Sequence, residues 1–325
     1  MISYIIRRLL YAIPILIGVN VLTFVLFFFV NTPNDMARVH LGVKRVTPQA
    51  IKEWKIEHGY DDPLFYNASA PGIDKLTRTI FFQHSVKLFV FDFGRSDSGH
   101  DIGYDIRQRM WPSLAIALPT FVVGLAVYIS VALMTVFFRG TYLDISGVML
   151  AVVMMSISML FYVIGGQYLF SKVLRLVPIS GYDTGLSAFK FVLLPVVVGI
   201  ISGVGSAVRL YRTFFLEEAP RDYVRTARAK GLSEIRVLFR HVLKNAMIPI
   251  LTGVVVVIPT LFIGSLIMES FFGIPGLGAY MIDAIRSQDF GIVHAMVFLG
   301  SVLYIVGLIL TDLSYTLVDP RVRLE

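Results

Sequence analysis

Six runs of about twenty apolar residues dominate this sequence, at positions 9–30, 113–138, 145–170, 189–208, 246–267 and 292–313. A run of that length matches the thickness of a bilayer's hydrocarbon core. Inside hydrocarbon, a helix satisfies its own backbone N–H and C=O groups. The runs therefore predict an all-α membrane protein with six transmembrane helices. Of its 325 residues, 56% are hydrophobic and 16% charged, whereas soluble domains carry roughly 45–50% and about 25%.

On this reading residues 1–30 hold the first spanning helix, and 31–112 form one large region outside the cytoplasm. Residues 113–313 form a five-helix core that includes a polar cytoplasmic loop at 209–245, and 314–325 form a short cytoplasmic tail. The first apolar run follows Arg7 and Arg8 and so imitates a secretory signal. It is longer than the roughly 7–15 residues of a signal core, and no small-x-small cleavage site follows. We expect it to be retained.

The formal net charge of +7 could suggest nucleic acid, but the basic residues are sorted into particular loops. One side collects Arg7, Arg8, Arg139, the polar stretch 209–245, Arg321 and Arg323; the short loops opposite are nearly neutral. That asymmetry makes both termini cytoplasmic, consistent with an even number of spans, and leaves membrane lipid rather than nucleic acid as the surrounding partner. The chain has no cysteine, so thiol catalysis, thiolate metal sites and disulfides are excluded. The six histidines show no helical pairing that would suggest a metal site.

Within 31–112, Thr47-Pro48 followed by AIKEWKIEH and Gly59 reads as a capped short helix, and Asp61-Asp62-Pro63 as a turn. The aromatic segment TIFFQHSVKLFVFDFG fits either a surface-lying segment or strands. The aromatic stripe Phe24, Phe27, Phe28 reads as lipid-facing or packing surface, and Gly199 and Gly203 as points of close helix contact.

The polar stretch 209–245 reads RLYRTFFLEEAPRDYVRTARAKGLSEIRVLFRHVLKN. Pro220 suits a first helical turn, Asp222 places negative charge near that helix's positive end, and Gly231 suits a left-handed stop. Ser233 is a candidate N-cap for a second helix. In it Ile235, Leu238, Phe239, Val242, Leu243 and Ala246 recur at helical spacing to give one apolar face, which leads into the fifth span. By themselves these features also describe a basic amphipathic loop resting on anionic headgroups.

The wording of the stretch is more specific. DYVRTARAKGL followed by RHVLKNAMIP closely resembles the cytoplasmic loop of binding-protein-dependent ABC importer permeases, in their dipeptide/oligopeptide/nickel branch. ESFFGIPGLG at 269–278 and LVPISGY at 176–182 resemble other segments of that family, and FDFGRS, GYDDPL and the N-terminal IIRRLL fit it more loosely. The general family wording has Glu-Ala-Ala three residues before the glycine. Here Arg225, Thr226 and Ala227 stand there, the form common in the peptide branch. A further departure is at 31–34, where many members carry an Ala-Pro-Gly-Asp-Pro run.

The resemblance implies the type I ABC importer permease fold in a bacterial inner membrane. It implies an ATPase-docking segment of Tyr223, Val224, Arg225, Thr226, Ala227, Arg228, Ala229, Lys230 and Gly231. It also implies that Gly273, Pro275, Gly276 and Gly278 help to shape an extracytoplasmic gate, beyond forming a turn. The implied partners are a second homologous permease, two ABC ATPase subunits, an extracytoplasmic solute-binding protein and a peptide substrate. Nickel or another small solute is the alternative cargo.

The sequence has no G-x-x-x-x-G-K-[ST] string, HExxH or GxSxG. Its apolar runs nearly lack ionisable residues, with Glu269 and Asp312 near their ends, and ion-coupled carriers usually need such groups at mid-membrane. A membrane enzyme acting through residues such as Gln167 and Asp312, or an ion-coupled carrier, is thus the weaker reading. The expectation is a transport subunit with no catalytic, cofactor or metal site of its own, ATP and magnesium being bound by the partner ATPases.

Overall fold

Helices make up almost all the regular structure of the computed structural model, which describes residues 2–42 and 47–318. In chain order, α1 (Ile2–Phe24) continues as a π-helical turn at Val25–Val30, and α2 (Pro33–Leu41), α3 (Pro48–Glu57), α4 (Asp74–Thr77) and α5 (Ile80–His84) follow. Next come α6 (Ile102–Phe137), α7 (Tyr142–Ser156), α8 (Met159–Gly166), α9 (Ala188–Glu218) and α10 (Asp222–Ala229). The chain ends with α11 (Glu234–Val237), α12 (Leu243–Thr260), α13 (Leu266–Phe272), α14 (Leu277–Ser287) and α15 (Phe290–Val318). Residues up to Arg109 form one compact unit with Tyr280–Val306; Met110–Ala279 form a second with the helix from Gly307 onward.

Among the described residues, five stretches are long and apolar enough to cross a bilayer: Ile6–Val30, Ile102–Phe137, Ala188–Glu218, Glu234–Ile263 and Phe290–Leu313. The expected third span is not one continuous helix. Tyr142–Ser156 and Met159–Val173 meet at 91°, so a sixth crossing exists only if this bent pair counts as one. The break falls where Ile157 and Ser158 adopt extended backbone. Tyr162 Oη donates to the Met154 carbonyl at 2.7 Å, satisfying an acceptor whose helical partner would have been the Ser158 N–H.

Other boundaries also move. The second spanning helix starts at Ile102, eleven residues before the apolar run at 113, and its 36 residues measure about 54 Å. Helix α9 runs on to Glu218, so residues 209–218 are helix, not loop. Its buried face continues through Val208 and Phe215, with Tyr211 packed beside them, after the lipid-like composition has ended. At the other end, helical structure resumes at Glu234. The polar connection thus shrinks to 219–233. Positions 319–325, with Arg321 and Arg323, lie outside the described residues.

In the first unit, Thr32 and Thr47 cap α2 and α3, with Pro33 and Pro48 in the first turns; Thr32 and Asp35 form a full capping box. The aromatic segment after residue 79 is helical, α5 and then a 3-10 turn at Val86–Val90, and not strand. The stripe on the first helix packs inward. Phe24 and Phe28 are buried and stack at 4.9 Å, with Phe81 edge-on to Phe24 at 5.0 Å and Tyr60 5.8 Å from Phe28.

In the second unit, α9 lies against α6, α7, α8, α12 and α13, which explains its glycines. A Cβ on Gly199 would fall 2.9 Å from Thr120 Cγ2, one on Gly203 2.3 Å from Tyr128 Oη, and one on Gly205 2.5 Å from the Ala151 carbonyl oxygen. Arg212 on α9 reaches across to Asp144 at the start of α7, with Nη2 and Oδ1 2.7 Å apart.

Candidate functional site

Two parts of the second unit carry the residues singled out from sequence. The first is the connection 219–233. Helix α10 begins at Asp222 with Arg221 as N-cap; Pro220 stands one residue before that cap, in the preceding turn and not in the first helical turn. At the far end Gly231 adopts φ +75°. Its N–H bonds to the Arg228 carbonyl at 2.9 Å, and the Leu232 N–H to the Ala227 carbonyl at 3.4 Å. These two bonds are the Schellman pattern of a helix closed by a left-handed residue. Ser233 follows as the N-cap residue of α11.

The faces of α10 divide cleanly. Val224 and Ala227 are buried in a cluster with Leu133 and Val136 of α6, Phe215 of α9, Val237 of α11, and Leu238 and Val242 of the turn after it. Tyr223, Arg225, Thr226, Arg228, Ala229, Lys230 and Gly231 lie on the exposed side. Arg225 has only a loose pairing, 3.8 Å from Asp222. Arg228 lies along the elbow: its Nε and Nη2 donate to the Glu234 carboxylate at 3.0 and 2.5 Å. Burial first, then the hydrogen bond to Glu218, pushes the Tyr223 hydroxyl up to about 12, so it stays protonated and donates to that carboxylate. Tyr223, Thr226 and Lys230 share a basic cleft with Arg236, Arg240 and His241.

The apolar face expected beyond Ser233 holds only in part. Leu238, Val242 and Ala246 are buried, but Ile235 and Phe239 are exposed and Val237 is buried in their stead. Residues Leu238–Val242 form a π-helical turn, whose wider repeat shifts the face out of α-helical register.

The second part is a cavity of about 440 Å³ whose lining includes Ser113, Thr120, Phe121 and Tyr128 of α6, Pro195, Gly199 and Tyr211 of α9, and Met268 and Glu269 of α13. From Ser113 to Tyr128 the lining follows about 22 Å of helix. Its walls are mainly apolar, with scattered hydroxyls and one carboxylate.

The glycine-rich segment lies at the Ser113 end of this cavity. Gly273 ends α13 at φ +63°, and Pro275 is exposed in the turn that follows. Gly276 and Gly278 are buried: a Cβ on Gly276 would sit 2.2 Å from Glu269 Oε2, and one on Gly278 2.6 Å from the Ser265 carbonyl carbon. The two segments that resembled one family at separate places in the sequence also meet here. The Gly181 N–H bonds to the Phe272 carbonyl at 2.7 Å, and Gln167 Nε2 donates to the Ile179 and Phe271 carbonyls at 3.0 and 2.9 Å. Gln167 thereby has a structural task.

The family described as the binding-protein-dependent transport system inner membrane component matches residues 129–324, and the N-terminal family of such membrane components matches residues 1–70. The chain belongs to this family. The permease is 30% identical over 331 residues to a Brucella abortus protein named as a peptide transport system permease, with all of both chains covered. It is 28% identical over 351 residues to the dipeptide transport system permease protein DppB of Escherichia coli, covering 99% of each chain. With the DppB of Alkalihalophilus pseudofirmus it shares 27% identity over 354 residues, 99% of this chain and 100% of that one. The permease is therefore a multi-pass inner-membrane subunit of an ABC transport system.

Sequence reasoning gave no role to two residues of these sites, Glu234 and Glu269. Glu234 carried a signal, since opposite charges six positions apart flank a glycine elbow. Glu269 also did, as a single carboxylate beside a glycine-rich run.

Proposed function

We propose that the permease forms part of the path by which peptides enter the cell, driven by ATPase subunits that dock on residues 223–231. The supporting observation is the seating of α10. Val224 and Ala227 fix it to a cluster shared by α6, α9 and the start of the α11–α12 helix, while its other face presents Arg225, Thr226 and Lys230 to a partner. A push on that face would move three spanning helices together, because close-packed side chains shift as a unit. The basic cleft beside it complements an acidic groove.

In this reading both termini and the 219–233 connection face the cytoplasm, and residues 31–112 lie outside, where a solute-binding protein delivers cargo. A second homologous permease completes the pathway and two ATPases bind ATP and magnesium; the permease itself performs no chemistry. The names of the relatives support peptide as cargo, and the largely apolar cavity accommodates varied side chains. Alternating access would follow from α10 acting as a lever on α12 and α9, with the 269–278 segment as the outer gate.

The test is reconstitution in liposomes with the neighbouring permease, ATPases and binding protein from its genomic surroundings. Uptake of labelled di- and oligopeptides that requires ATP supports the proposal. ATP-driven uptake of nickel but not peptide reassigns the cargo, and uptake by the permease alone on an ion gradient overturns the mechanism.

A further inference from the structure

Glu269 is 1% exposed, yet its carboxylate is thoroughly engaged. Oε1 accepts the Ser265 N–H at 3.1 Å and Oε2 the Ala279 N–H at 3.0 Å. The Ser113 hydroxyl lies beside it, both groups flanking Gly276, and Ser113 Oγ accepts the Leu277 N–H at 2.8 Å. A buried carboxylate is tolerated when N–H and O–H dipoles surround it in this way.

The backbone is built around the group. A Cβ on Gly264 would fall 2.0 Å from Oε1, and one on Gly276 would fall 2.2 Å from Oε2. Only glycine at both positions lets two strands of chain close on the carboxylate, and Gly264 has the further demand of φ +77°. The two segments flanking α13, Gly264–Ser265 and 276–279, are therefore tied at one point with Ser113 of the distant α6. Ser113, Gly264, Ser265 and Glu269 are at the same time part of the cavity wall.

We infer that Glu269 is a positioning residue that holds the Ser113 end of the cavity shut, its carboxylate tying the segments on either side of α13 to α6. The role rests on the proposed reading of the cavity as part of the transport path. Opening that end requires these bonds to be broken or exchanged. Weakening them raises the population of the open form, since each hydrogen bond to a charged group counts for enough to shift such an equilibrium about tenfold.

The chain has no cysteine, so Thr120→Cys makes its single thiol, and labelling is read on the permease band alone. The assembled transporter carrying it is reacted with a membrane-impermeant maleimide in right-side-out and inside-out vesicles. Glu269→Gln, Ser113→Ala and Gly276→Ala are each expected to raise the labelling rate about tenfold or more, from one side only, with the complex still assembled. Gly276→Ala acts with the carboxylate still present, by displacing it. Should Glu269→Gln fail to assemble, the two milder variants decide. Labelling within about twofold of the parent in every assembled variant overturns the inference. Labelling needs neither cargo nor ATP turnover. Faster labelling with no peptide uptake by the parent transporter would sink the transport reading and keep the latch.

Discussion

Arg228 and Glu234 grip each other across the Gly231 elbow, with guanidinium Nε and Nη2 bonded to the two carboxylate oxygens at 3.0 and 2.5 Å. Both side chains are 42% exposed, so solvent screening holds the pair to less than about 1 kcal/mol of stability. Its value lies in the angle it sets between α10 and α11. Arg225, only 3.8 Å from Asp222 at its nearest carboxylate, would face the ATPase in the proposed docking. Arg228→Glu combined with Glu234→Arg should therefore keep peptide uptake near the parent rate, whereas Arg225→Glu should lower uptake and co-purification of the ATPase without moving the thermal midpoint. Equal losses from both would show that the two arginines do the same job.

Gly231→Ala should lower the stability of the elbow by about 1–2 kcal/mol, since a Cβ disfavours the left-handed backbone found there. Gly231→Pro should do more, because proline cannot adopt φ +75° and lacks the N–H bonded to Arg228. The expected phenotype of the proline variant is ATP hydrolysis without uptake in the reconstituted transporter. Normal uptake would mean that the turn transmits nothing.

Asp144 and Arg212 join α7 to α9 by a contact of 2.7 Å, with side chains only 10% and 22% exposed. Removing one partner leaves the other charge buried, which costs about 3–5 kcal/mol. Asp144→Ala should thus be much less stable than the Asp144→Leu/Arg212→Met double variant. Thermal unfolding in detergent ranks them, and the reverse order would contradict the assignment.

Two groups of the first unit set opposing pH slopes. Asp97 is raised to about 6, by burial and then by the Asp289 carboxylate, against the smaller opposite pull of His40, His58 and Tyr60 around it. Folded Asp97 therefore holds more proton than the unfolded chain between about pH 4 and 6, and its contribution to stability falls as pH rises through that window. His84 is lowered to about 4 by burial, then by Lys87. It holds less proton when folded, so its contribution rises between about pH 4 and 6.5. Asp97→Asn should make the midpoint climb with pH more steeply than in the parent, and His84→Gln should make it climb less or decline. Parallel profiles for all three proteins would refute both shifts.

What could be read from the sequence was local. The Thr47-Pro48 helix start and the Gly231 stop each depend on a few adjacent residues and stand where expected, while Ser233 holds the N-cap position without a side-chain capping bond. Helix ends set by tertiary packing were out of reach: α9 continues past Val208 because its buried face does, although its composition has turned polar. The 91° break at Ile157–Ser158 has no proline or glycine to mark it. The π-helical turn at Leu238–Val242 moved Ile235 and Phe239 off the face that α-helical spacing assigned them. Glu269 was visible only as a charge near a span end. The bond beside it joins Ser113 to Leu277, 164 positions apart, and such pairings have no signature in a single chain of letters.

On the proposed function, α10 is where an ATPase acts on the permease. Because the chain has no cysteine, a single Thr226→Cys can be cross-linked in the assembled transporter with a short thiol-to-amine reagent, with and without ATP. The account predicts one dominant product containing the permease and an ATPase subunit, its yield changing with nucleotide, and loss of ATP-driven uptake once the link has formed. A Thr226 cross-link found only to lipid or to the other permease, with uptake unaffected, would contradict it.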